Sequence, residues 1–201
     1  MPAPHHPPSA APITVRPACL ADAPGLARVV VDTVWAVDTP WAAADPRPRA
    51  DQYTESVRNW RRAFAELAAA PDGRERIFAA VDAGGRERVV GVAMGGPRRL
   101  PAVPFGAYAG ELTLLIVRAS HRRCGVGRRL VGAVVRHLVD AGLPSVAVEC
   151  RCANAPARRF YAALGGRPVG EHRVDEAGTR HPSTVYGWTL ADVTALLRPI
   201  E

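Results

Sequence analysis

The sequence predicts an α/β domain built around a mixed sheet. Short alternating or apolar runs of strand type recur from Ile13 to Leu190, and stretches of helical period separate them. The length of 201 residues suffices for one such domain with a real core.

Taken in order, Ile13–Pro17 reads as the first strand. Asp22 and Pro24 then open a helix to about Trp35, the Asp as N-cap and the Pro in the first turn. A Trp-, Pro- and Asp-rich stretch leads to a second helix over Gln52–Ala70, where Val57, Trp60, Phe64 and Leu67 recur at helical spacing. Pro71-Asp72-Gly73 stops it. Ile77–Val81 and Val89–Met94 flank Ala83–Arg86 as a hairpin, and residues 95–110 read as a Pro/Gly-rich loop.

Leu112–Val117 is the next strand, followed by a basic glycine-bearing loop. The helix after it carries Leu130, Val131, Val134, Val135, Leu138 and Val139 as one apolar stripe. Val146–Cys150 is a further strand. Asn154 and Pro156 open a helix that Gly165-Gly166 stops. Pro168–His172 and Val185–Leu190 are the last strands, with 173–184 as a turn-rich loop between them. No repeat or internal linker is visible, so residues 1–12 are expected to be a disordered tail and 13–201 a single domain.

The formal net charge is +7, and all 26 basic residues are Arg. The missing Lys fits composition bias; it also excludes a Lys nucleophile and a P-loop lysine. No apolar run approaches the ~18 residues of a membrane span, and the N-terminal segment lacks a secretory pattern. Cys19, Cys124, Cys150 and Cys152 form no C-x-x-C pair, so reduced thiols and a cytoplasmic location are expected. His5 and His6 lack further ligands nearby, and no metal is expected.

The segment Arg122-Arg123-Cys124-Gly125-Val126-Gly127 runs from a strand straight into a helix. Glycines there allow a tight turn whose N–H groups converge at a helix N-terminus, a nest of the kind that holds a diphosphate. Six Arg and no acid lie between Arg118 and Arg136, which leaves the rest of the chain near neutral. An ordinary glycine turn beside a solvated helix face accounts for the same residues. The loop is neither a dinucleotide fingerprint nor a Walker loop.

A second segment, Asn154 to Gly165, breaks that tie. Glu111, Leu112, Leu115, Val117, Arg122, Gly125 and Gly127 follow the pattern E-L-x-x-L-x-V then R/Q-x-x-G-x-G/A. Asn154, Ala157, Phe160, Tyr161 and Gly165 follow N-x-x-A-x-x-F-Y-x-x-x-G. Together they resemble the GNAT superfamily of acyl-CoA-dependent N-acetyltransferases, over about residues 13 to 190. Ala119 stands where that family often has Pro, Arg123 where it often has Gly, and Gly166 where Phe commonly follows.

The resemblance implies a single-domain fold with a mixed, mostly antiparallel sheet, flanking helices and a splayed parallel pair made by Leu112–Val117 and Val146–Cys150. It implies acetyl-CoA as cosubstrate, and no metal. The pantetheine arm would lie between the splayed strands like an added strand. The thioester would meet the backbone of Ile116 and Val117, and the diphosphate the amides of Arg122, Arg123, Cys124, Gly125, Val126, Gly127 and Arg128. Asn154 would bond pantetheine amides or cap its helix. Tyr161 would protonate the leaving thiolate, or else be a core aromatic. Glu111 would be the base, through water, or else cap its strand or pair with an Arg. Cys124 and Cys152 are read as packing residues.

The implied reaction is acetyl transfer to a primary amine of a small molecule by direct attack. A protein N-terminus or lysine as acceptor, and a non-catalytic acyl-CoA sensor, are the alternatives. Acceptor choice would come from the first two helices and from the 95–110 and 173–184 loops. The segment from Trp35 to Glu55 adds Asp38, Asp45, Asp51, Trp41 and Tyr53, groups that suit a cationic amine; solvated loop acids and core aromatics account for the same residues, and none is named as a ligand. Neither nucleic acid nor a membrane is implied as a partner; a homodimer is compatible with the resemblance.

Overall fold

The computed structural model describes residues 12–36, 47–70, 72–84, 88–176 and 179–197. The expected tail, His5 and His6, the acids Asp38 and Asp45 with Trp41, and part of the turn at 83–86 lie outside them.

The seven strands are β1 (Ile13–Pro17), β2 (Arg76–Asp82), β3 (Arg88–Pro97), β4 (Gly110–Val117), β5 (Val146–Arg151), β6 (Arg167–Glu176) and β7 (Thr179–Trp188). They form one sheet in the order β1-β2-β3-β4-β5-β7-β6. β1–β2, β5–β7 and β7–β6 pair antiparallel, and β4–β5 pairs parallel. The helices are α1 (Ala23–Ala36), α2 (Arg49–Ala69), a short α3 (Ala102–Phe105), α4 (Val126–Asp140), α5 (Ala155–Ala163) and α6 (Leu190–Leu196). This is the mixed, mostly antiparallel α/β architecture that the sequence predicts.

The chain divides into two compact units. The first holds residues up to 70, with 77–92 and 115–130. In it α1 packs on α2, and Leu26, Ala27 and Val29 of α1 and Trp60 of α2 are buried. Its entry differs from expectation. Asp22 closes a 3-10 turn over Leu20–Asp22, and its carboxylate turns back to accept the Cys19 N–H at 2.8 Å. Arg16 grips the same carboxylate through two hydrogen bonds of 2.8 and 2.9 Å. A strand-borne Arg has thus claimed the side chain that helix-capping rules assign to α1.

The second unit holds residues 71–76, 93–114 and 131–201. The apolar stripe of α4 contributes Val131, Val134, Val135 and Leu138, all buried, and Leu100, Phe105, Ala147 and Val185 form a separate cluster. The expected loop at 173–184 is mostly strand, because β6 and β7 form one long hairpin from Arg167↔Gly187 to Glu176↔Thr179. The expected loop at 95–110 begins as strand, to Pro97, and contains α3. The last expected strand ends at Trp188, where a capping box between Thr189 and Asp192 starts α6 instead.

Candidate active site

In the first unit, β4 ends at Val117 and the chain passes through a 3-10 turn, Ala119–His121, into the basic loop and α4. The buried His121 anchors that turn. Its Nδ1 lies 2.8 Å from Ser120 Oγ and its Nε2 lies 3.4 Å from Asp82 Oδ2. The Gly84 N–H and the His121 ring, against the opposing effect of burial, hold Asp82 below its ordinary carboxylate value.

Two loop residues have left-handed backbone, Arg123 at φ 62° and Gly125 at φ 78°. Gly125 thus needs its lack of a Cβ, and the space beside it is open. Arg123 occupies a conformation that L-residues disfavour, which accounts for Gly being frequent there in the resembled pattern. Gly127 does not share this role: it lies in the first turn of α4 with ordinary φ. The turn leaves the first N–H groups of α4 at the loop, where the helix dipole favours an anion.

The Arg cluster is smaller than its sequence suggests. Arg118 is turned inward, donating to Val89 O at 3.2 Å and to Asp32 at 2.9 Å. Arg122 donates to Val117 O at 3.1 Å. Arg136 stands about 15 Å along α4 from its start, by helix rise. Arg123, Arg128 and Arg129 remain beside the loop, together with the exposed Cys124, whose thiol donates to Arg122 O at 3.3 Å. Ile116 and Val117 are half-buried at the end of β4.

Of the Trp35–Glu55 residues that could greet a cationic acceptor, Tyr53 and Glu55 are engaged within the protein. Arg28 lies over the Tyr53 ring at 5.5 Å, and Glu55 pairs with Arg47. A cavity of about 360 Å³ beside them is lined by Arg28 and Arg49, and its Asp32 is tied to Arg49 and Arg118.

In the second unit, the β4–β5 ladder pairs Gly110 with Val146 and Glu111 with Ala147, then stops, although both strands continue. The splayed parallel pair is present. Side chains alternate across a strand, so Glu111, Ala147 and Glu149 share one face. Val148 and Cys150 share the other, with Tyr186 opposite Val148.

Glu111 is buried, and its Oε2 accepts the N–H groups of Arg99 at 2.7 Å and Leu100 at 3.0 Å. The carboxylate therefore fixes the 98–101 segment. Among the described residues no Arg side chain pairs with it; Arg99 sends its guanidinium to Glu75 instead, at 2.6 and 2.8 Å.

Tyr161 projects from α5 onto the opposite face, with its ring 6.0 Å from that of Tyr186 and 6.2 Å from that of Trp188. Burial raises its pKa well above the ordinary phenol value, and the nearby Cys150 adds to the rise. The hydroxyl therefore stays protonated, and among the described residues it makes no hydrogen bond. The ring is buried while the hydroxyl oxygen still reaches solvent, so its hydrogen-bonding capacity is open to water or a ligand.

Asn154 caps α5, its side-chain oxygen accepting the Ala157 N–H at 3.1 Å. Gly165, at φ 82°, follows the end of that helix. Gly166 differs from the resembled Phe for a visible reason. A Cβ there would lie 2.5 Å from the Trp188 ring, so Trp188 fills the space an aromatic at 166 would need. Trp188 also donates Nε1–H to Leu164 O at 3.0 Å.

Cys150 is a buried structural thiol and Cys152 is half-buried, whereas Cys124, expected to be a packing residue, is exposed on the loop. Cys19 is exposed too. Burial pushes Cys150 up to about 11, far from nucleophilic at neutral pH. Cys152 Sγ lies 3.3 Å from Thr184 Oγ1. Among the described residues no group of three or more His, Cys, Asp or Glu could hold a metal ion, and no helix is long and apolar enough to cross a membrane.

Sequence reasoning missed two polar residues beside Glu111. Glu149 and His172 lie on its face of the sheet, and only strand register reveals it.

Comparison with known proteins agrees with this geometry. The sequence model of the Acetyltransferase (GNAT) family matches residues 37–165, so the chain belongs to that family of acetyltransferases. Solved structures share the fold at low identity. The ribosomal-protein-alanine N-acetyltransferase of Brucella melitensis has TM-score 0.65 at 20% identity, over 88% of this chain and 99% of that one. yncA of Salmonella typhimurium, solved with its cofactor acetyl-CoA, has TM-score 0.60 at 18% identity, over 89% and 94%. The N-acetyltransferase of Staphylococcus aureus Mu50 has TM-score 0.63 at 16% identity, over 89% and 99%. A search of curated proteins returns no match.

Proposed function

We propose that the chain, with residues 13–201 as its catalytic domain, acetylates a primary amine of a small molecule by direct attack on the thioester of acetyl-CoA. The observation that carries this reading is the unpartnered Tyr161 hydroxyl beside a parallel strand pair that stops pairing after two residues on each strand. Both are features a ligand would complete. Open strand backbone accepts an extended amide chain as an added strand, and a hydroxyl at the accessible edge of a buried ring can donate to a ligand. The yncA structure holds acetyl-CoA on the same fold.

Bound acetyl-CoA supplies the activated acetyl group. The residues of this chain then divide the work. The amides of 122–128 hold the phosphates, helped by Arg123 and Arg128. The backbone amides of Ile116 and Val117 polarise the thioester carbonyl. Asn154, besides capping α5, offers its amide to the pantetheine arm. Glu111 takes the proton of the acceptor ammonium through a water. Both backbone donors go to Oε2, which leaves Oε1 for that task. Tyr161, fixed as a neutral hydroxyl, donates a hydrogen bond to the departing sulfur. Its raised pKa makes it a better hydrogen-bond donor to thiolate charge than a full proton source at neutral pH. A cytoplasmic site of action suits the free thiols.

The test is thiol release from acetyl-CoA against a panel of diamines, amino acids, amino sugars and N-terminal peptides. Release stoichiometric with an acetylated small amine is expected. Acetylation of peptides alone would move the acceptor to protein. Acetyl-CoA binding with no turnover on any amine would make the chain a sensor.

A further inference from the structure

The face of the sheet that carries Glu111 holds two groups that the proposed reaction leaves unused. Glu149 stands opposite Val185 and His172 opposite Ser183, and Val185 and Ser183 are two apart on β7. Register therefore puts both side chains on one face, the face Glu111 shares through its pairing with Ala147.

A cavity of about 310 Å³ opens there, lined by Leu100, Glu111, Glu149, His172, Arg99 and Arg173 among others. Its charges are not equivalent. The Arg99 guanidinium is neutralised by Glu75, and Glu111 is held by two backbone N–H groups. Among the described residues Glu149 has neither arrangement. The group nearest it is His172 Nε2, 3.0 Å from its Oε2. That approach is too oblique for a hydrogen bond, and the buried Nε2 makes none. The His172 ring is set edge-on against Phe105, with centroids 5.4 Å apart. The Glu149 side chain is 27% exposed, so its carboxylate is partly stripped of water yet reachable.

A half-desolvated carboxylate without an Arg partner, facing a cavity, attracts a cation with ordered donors. A primary ammonium has three N–H donors and the compact charge to fit. We propose that Glu149 receives the ammonium group of the acceptor, and that His172 is the positioning residue that sets its carboxylate. This rests on the acetyltransferase reading and deepens it by naming where the amine docks. Arg173 is the remaining charged group at the cavity, and Arg99, Glu75 and Glu111 are those that face it from neighbouring segments.

The experiment uses butylammonium chloride as probe, titrated into the full chain and followed by the ring C–H resonances of His172. His172→Phe, which keeps a ring against Phe105, identifies the signal. A saturable shift is expected in wild type beyond that caused by equal sodium chloride, with affinity at least tenfold weaker in Glu149→Gln. Equal shifts in both proteins, or none in wild type, would overturn the proposal. In turnover assays Glu149→Gln should raise acceptor KM at least tenfold with kcat within threefold; an unchanged KM would also overturn it. Calorimetry with acetyl-CoA separates the two ideas. Failure of wild type to bind acetyl-CoA defeats the acetyltransferase reading, whereas the butylammonium result stands or falls independently.

Discussion

The basic loop of the first unit and the sheet face of the second are built by different physics. The loop is local. Its shape comes from two left-handed residues, Arg123 and Gly125, and from the helix that starts at Val126. The sheet face is assembled from residues far apart in sequence, Glu111, Glu149 and His172, which strand register alone aligns. A local device fails by backbone conformation, and an assembled one fails by packing. Substitutions can separate these two modes.

The largest effect should fall on packing in the second unit. Trp188 is 1% exposed, packs on Tyr161 and fills the space above Gly166. Trp188→Ala should cost about 3–5 kcal/mol in denaturant unfolding. A loss below ~1 kcal/mol would mean the pocket collapses freely and the assembled picture is wrong.

Next is Tyr161→Phe, which should lower activity while leaving stability nearly unchanged. Turnover should drop roughly 10²-fold. Stability should change by less than about 0.5 kcal/mol, since the hydroxyl removed reaches solvent and makes no protein hydrogen bond among the described residues. Because burial raises the Tyr161 pKa, wild-type activity should show no loss through the ordinary phenol range near pH ~10 from this group. An alkaline limb absent in Tyr161→Phe would contradict that.

A smaller effect belongs to the entry of the first unit. Burial alone would raise the Asp22 pKa, but the Arg16 hydrogen bonds and the Cys19 N–H more than offset it and hold it below its ordinary value. A depressed carboxylate stabilises the fold above its unfolded pKa, near ~3.9, and the contribution is lost as pH falls through the folded value. Asp22→Asn should therefore cost about 1–2 kcal/mol at pH 7, and the gap to wild type should close on acidification below pH ~4. A gap independent of pH would point to lost packing instead.

The smallest effect is expected at the loop. Arg123→Gly should relieve left-handed strain and stabilise by about 0.5–1 kcal/mol, glycine's greater unfolded-state entropy cancelling part of the gain. Destabilisation would show that the Arg123 side chain matters more than its backbone.

The same division explains how much could be read from sequence. β1, the start of α5 at Asn154 and the loop at Gly125 were legible because each is fixed by neighbours within a few residues. The Thr189–Asp192 capping box was equally local, yet apolar residues before it masked it as the end of a strand. Asp22 followed a valid capping rule that Arg16, from another element, overrode. The 173–184 segment is rich in polar and turn-forming residues, and its strand state comes from pairing β6 with β7. Glu149 and His172 carried no motif at all, since nothing in the spacing of 149 and 172 encodes a shared face. Within the Arg run, only the structure could show that Arg118 is spent on Asp32.

The central claim is that the loop after β4 binds the phosphates of acetyl-CoA. Calorimetry with acetyl-CoA and with acetyl-pantetheine, which lacks those phosphates, tests it most directly in wild type and Gly125→Val. Acetyl-CoA should bind wild type at least tenfold more tightly than acetyl-pantetheine, and Gly125→Val should erase most of that difference. Equal affinity for the two ligands in wild type, or no binding of acetyl-CoA, would contradict the account.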